Sequence, residues 1–171
     1  MTVISQNNIK LLTTLFNDSH AVRLNMHNLL LKNISTLVSI KDDLGKGNCH
    51  DAAAFMHFLK KPHITGVDEY ALHNHSNKDW ISYFYTQFSL WDGTSSIPSG
   101  KVIGFHNPQN NISHLGVFHS AYSIGGTKVR AVNSLDLGNG WKSVDLLDAI
   151  QNINGSLFYN NAPVEVYISN R

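Results

Sequence analysis

Partway along this chain the spacing of apolar residues changes from helical to strand-like, and that change limits the folds open to it. Ile4, Ile9, Leu11, Leu12, Leu15 and Phe16 recur at loosely helical intervals. Asp18 or Ser19 can then cap a second helix, in which Val22, Leu24, Met26, Leu29, Leu30 and Leu31 form a broad apolar face that ends near residues 32–35. Residues 41–48, with two glycines and two aspartates, read as a turn. A third helix is expected from His50 or Asp51 to about Lys60, stopped by Pro62. From Ser99 onward the pattern is β: strands over 101–106, 114–124 and 127–133, the last two joined by a Gly125-Gly126 hairpin, and a closing strand over 164–169. Helices first and mostly antiparallel strands afterwards define an α+β fold. Residues 80–91 are aromatic enough for either a strand or a buried helix, 63–79 read as a polar loop, and 141–150 as a short helix. The asparagines at 152, 154, 160 and 161 read as composition.

The 171 residues suit one domain spanning 1–171, with no repeat and no Pro-rich linker. Thirteen basic against twelve acidic residues leave a formal charge of +1, and the basic residues are scattered, which argues against nucleic acid as a partner. No apolar run is long enough to span a bilayer. The first ten residues lack a basic segment followed by an apolar one, so synthesis in a bacterial cytoplasm without a Sec signal is expected, compatible with export by a specialised machine.

A single cysteine, Cys49, rules out an intrachain disulfide framework and any multi-thiolate zinc site. It stands between a glycine-bearing turn and a helix. Unpaired N–H groups and the positive dipole end there favour thiolate over thiol and can hold an oxyanion. A thiolate nucleophile needs a base, and ten histidines compete for that role. His114, opening a strand, is the preferred base, with His106 on the preceding strand as the alternative. His119 has odd spacing from His114 and points to the other face. A third group should fix the imidazole tautomer: Asn133, or Asp136 if a bulge shifts the register. Asn48 is a candidate second oxyanion donor, and the adjacent His50 is a candidate to tune the thiolate or touch substrate. His57 lies two turns further on and reads as packing. His73 and His75, with His63 and Asp79, lack the spacing of a metal site, so neither a metal nor another cofactor is expected. Trp80, Tyr83, Tyr85 and Trp91 read as core in preference to a substrate groove.

These residues resemble a family. The run Asn48-Cys-His-Asp-Ala-Ala-Ala-Phe55 is similar to the nucleophile helix of NlpC/P60-type and CHAP-type cysteine peptidases. Pro98-Ser-Gly-Lys-Val-Ile-Gly-Phe105, Ser113-His-Leu-Gly-Val-Phe118 and Gly126-Thr-Lys-Val-Arg-Ala-Val-Asn133 resemble their next three strands. The usual Ser-Gly after the cysteine is His50-Asp51 here, and a Gly-Asp pair is Gly100-Lys101. The resemblance implies a papain-like hydrolase with Cys49 as nucleophile, His114 as base and Asn133 as orienting residue. It would cut amide bonds, in peptidoglycan or in a peptide or protein substrate, as a secreted effector toxin neutralised by an immunity or inhibitor protein. The segment Gly45-Lys-Gly-Asn-Cys49 also resembles OTU-type deubiquitinases and some bacterial glutamine deamidases. The histidine that OTU enzymes carry near the C-terminus is missing, so of these two the deamidase remains. A third reading is a non-enzymatic binding module with Cys49 buried.

Overall fold

The computed structural model describes residues 17–32, 48–68, 76–110, 113–133 and 140–171. The helix expected over 4–16, most of the 41–48 turn, Asp136, His73 and His75 lie outside them. The fold is α+β with a mostly antiparallel sheet.

Helix α1 (His20–Lys32) buries Arg23, His27 and Leu30, which corrects the expected apolar face, since Val22 and Leu24 are exposed; α2 (Cys49–Lys60) begins at the cysteine itself, one residue before the expected start. Asn48 explains this. Its side chain accepts from the His50 N–H at 2.8 Å, an N-cap that fixes Cys49 as the first helical residue. Helix α3 (Asn77–Tyr85) begins inside the segment read as a loop, because Ser76 and Asp79 form a reciprocal capping box. Asp79 is thereby committed to a helix start. The aromatic run splits into this helix and strand β1 (Phe88–Leu90).

Strand β2 (Val102–His106) leads through a 3₁₀ turn (Ser113–Gly116) into β3 (Val117–Gly125), followed by β4 (Lys128–Ala131) and β5 (Lys142–Asp145). The expected helix over 141–150 is corrected: only the single turn α4 (Leu146–Ala149) follows β5, capped by the Asp145 side chain. Three short strands, β6 (Gln151–Ile153), β7 (Ser156–Tyr159) and β8 (Ala162–Pro163), form a second small sheet, and β9 (Glu165–Ser169) returns to the first. The strand order of the main sheet is β1-β9-β2-β3-β4-β5.

The asparagines are more than composition. Asn154-Gly155 and Asn160-Asn161 turn the small sheet with φ of 53°, 88°, 48° and 62°. Asparagine tolerates this left-handed region, which two-residue hairpins require.

The main sheet separates two apolar layers. Ala52, Phe55, Met56 and Leu59 of α2 pack with Trp80 and Phe84 of α3 against Val102, Tyr122 and Tyr167. The other face buries Ile103, Phe105, Ala121, Val129 and Val166 beneath Leu146 and the small sheet. Polar ties lock α1 to this frame. The buried Arg23 guanidinium donates to the Phe58 and Lys61 carbonyls at 3.0 and 2.7 Å, capping the carboxyl end of α2. Trp141 Nε1 and Arg130 Nε donate to the Leu30 and Leu31 carbonyls, and His27 Nε2 meets the Tyr122 hydroxyl at 2.7 Å.

Candidate active site

The topology places Cys49, His106, His114 and Asn133 toward one end of the main sheet. His106 closes β2, where its register partners are Val117 of β3 and Glu165 of β9. Because β2, β3 and β4 alternate in direction, the turn carrying His114, the start of β3, and Val132 and Asn133 share that end. Helix α2 lies across β3 and begins there, with its first thiol beside Ser120.

Cys49 is partly buried. Burial pushes its thiol above the ordinary value, and the Asp51 carboxylate adds to that. The backbone N–H groups of Ser120, His50 and Cys49 itself pull the other way. The resting group is therefore a thiol, where the helix dipole alone suggested a thiolate. Desolvation outweighs the dipole because α2 starts against the sheet and not in open solvent.

Beneath the sulfur runs a polar chain the sequence reading missed. His50 Nδ1 lies 2.7 Å from the Ser120 hydroxyl, and the Tyr85 hydroxyl lies 2.6 Å from the same oxygen. All three residues are buried. Burial, and then the charge of His119, lower the His50 imidazole to about 4, so it is neutral at pH 7. Burial raises the Tyr85 phenol far above its normal range. Gly104 makes room for this arrangement: a Cβ there would stand 2.6 Å from the Tyr85 ring. Glycine in a strand interior was the available signal.

His114 is half-buried and lies in the 3₁₀ turn, which corrects its expected place as the first residue of a strand. The turn packs on α3, and α3 is tied to α2 by the Trp80 indole donating to Asp51 at 2.9 Å. His106 is buried, stacked on Tyr167 at 4.9 Å, with Nδ1 3.5 Å from the Glu165 carboxylate. Its Nε2 faces Gly116, where a Cβ would stand 3.0 Å away. His119 packs on Phe105 at 5.4 Å, on the face away from the helices, and burial lowers it to about 4. Asn133 falls two residues beyond the end of β4, exposed and left-handed at φ 50°, where a strand position was expected. Asn48 spends its carbonyl oxygen on the helix cap, and the His50 ring turns inward to Ser120.

Among the described residues no group of three or more His, Cys, Asp or Glu could hold a metal ion, and no helix is long and apolar enough to cross a membrane. No protein-family model and no curated protein sequence matches this chain.

Proposed function

We propose that the protein is a papain-like cysteine hydrolase that cuts amide bonds, with Cys49 as nucleophile. The observation that carries this reading is the place of Cys49 as the first residue of α2, with its thiol beside Ser120 of β3. A helix amino end leaves backbone N–H groups without helical partners, and such groups can hold the oxyanion that forms when the sulfur attacks an acyl carbon.

Because the resting group is a thiol, its proton must leave during attack. His114 takes this role, supported by its position at the same end of the sheet and its partial exposure. The Cys49 Sγ bonds to the amide carbon while His114 accepts the thiol proton. The tetrahedral intermediate collapses to a thioester, and the imidazolium gives that proton to the departing amine. Water, deprotonated by the same imidazole, then releases the acid and restores the thiol. Asn133, or Asp136, is the residue proposed to orient the base. Peptidoglycan peptides are the favoured substrate, on the resemblance stated above; a glutamine of a host protein is the alternative. Both fit an exported bacterial effector with a neutralising partner protein.

The raised Cys49 thiol favours a second reading, a binding module in which the cysteine only fills space. One assay separates them. Wild type, Cys49→Ala and His114→Ala are incubated with peptidoglycan fragments and with host-cell lysate, and cleavage and glutamine-to-glutamate conversion are followed by mass spectrometry. Either activity, lost by more than about a hundredfold in both folded variants, supports the hydrolase. Turnover unchanged in Cys49→Ala removes it.

A further inference from the structure

At the carboxyl end of α2, away from Cys49, a cavity of about 350 Å³ is lined by His57, Lys60, Lys61, Pro62, Tyr83 and Arg171. Its electrostatics are one-sided. Lys60, Lys61 and Arg171 all act on the His57 ring, and among the described residues Asp68 opposes them; Asp68 pairs with Lys61 at 2.8 Å, and the Lys60 ammonium donates to the Gly100 carbonyl. The ends of helices ordinarily attract cations through their free carbonyls. Here Arg23 already takes the Phe58 and Lys61 carbonyls, so the helix end does not account for the other cations.

Arg171 is held ready. Its Nε donates to the Tyr83 carbonyl at 2.6 Å, and its guanidinium lies 3.8 Å from the centre of the Tyr83 ring. These two contacts fix the plane of the fork and leave its terminal Nη groups without a partner among the described residues. His57 is held as firmly by Phe58, Tyr83 and Phe84, with ring centres 5.0, 6.0 and 5.2 Å away. Its Nδ1 is buried and has no hydrogen-bond partner among the described residues, so the ring senses an occupant of the cavity through charge.

We propose that this cavity binds a phosphate-class oxyanion, gripped by the Arg171 fork and the Lys61 ammonium beside the His57 ring. Tetrahedral oxyanions offer the several acceptors that a guanidinium and an ammonium can share. The volume lies at the lower end of small-ligand pockets, so the oxyanion is either free phosphate or the phosphoryl group of a small monoester. The site is independent of Cys49 and stands whether or not the hydrolase reading does.

The test titrates the full chain with inorganic phosphate and, separately, with glycerol 3-phosphate, following the His57 imidazole by NMR. Empty, that ring is held near about 3 by burial and by its cationic neighbours, so it is neutral at pH 7. A saturable shift of its signals, with its titration moved upward, is expected. Lys61→Ala and Arg171→Ala should each weaken binding about tenfold, the loss of one charge-assisted hydrogen bond. Tighter binding of the monoester identifies a phosphorylated small molecule, and equal binding identifies free phosphate. An unshifted ring with both probes, or unchanged affinity in both charge variants, overturns the proposal.

Discussion

The two ends of helix α2 are built on opposite principles. At its amino end Asn48 caps the first turn, and His50, Ser120 and Tyr85 close on one another. At its carboxyl end the carbonyls are satisfied by Arg23, yet one imidazole nitrogen is left over beside three cations. Apolar packing along the helix between them is continuous. The difference teaches that burial does not set polarity by itself; how completely the polar atoms are matched does.

Acid is the harshest way to break this comparison. Burial lowers His50 and His119 to about 4 and His57 to about 3 from an ordinary 6.5. The unfolded chain therefore binds more protons than the folded one below about 6.5. Stability is fully present above that value and is lost as pH falls toward 4. Urea midpoints measured from pH 7 to pH 4 should drop steadily. His57→Phe should flatten the acid part of that curve, because it removes a proton sink without orphaning a partner. A curve unchanged by the substitution would mean that His57 is not the buried, neutral ring this comparison requires.

Arg23→Ala should cost about 2–4 kcal/mol by urea denaturation, since it uncaps α2 and detaches α1. Ser120→Ala leaves the His50 nitrogen and the Tyr85 hydroxyl facing an apolar methyl, a loss of about 1–3 kcal/mol. Adding Tyr85→Phe to it should cost less than the two changes made separately, and strict additivity would dissolve the chain of three into unrelated contacts. Asn48→Ala should cost about 1 kcal/mol, the ordinary value of an N-cap, with circular dichroism showing the helix retained.

Much of the frame was legible in sequence because periodicity marks where elements run, although in α1 the buried side chains are Arg23, His27 and Leu30 and not the apolar Val22 and Leu24. Helices α1 and α2, the β3–β4 hairpin and the closing strand all lie within a few residues of where apolar spacing puts them. Caps were read less well. Ser76 and Asp79 form a helix start that a polar, His-rich context concealed, and Asp145 limits a helix of expected length to one turn. At the candidate site, Cys49 at a helix start was readable from Gly45, Gly47 and the apolar run beyond it. The Ser120 and Tyr85 contacts were not, since they depend on which face of β3 meets α2 and on how α3 crosses it. The state of the thiol was equally out of reach, because desolvation is a property of the packed whole.

Gly104 has a consequence for how this protein can change. It is the bare spot on β2 against which the Tyr85 ring rests. Any side chain there would lift the phenol off the sheet and carry α3 with it. Sequences that drift at this position would have to re-fit a helix, a strand and the floor under Cys49 at the same time, so the smallest residue in the strand is the one with least freedom to vary.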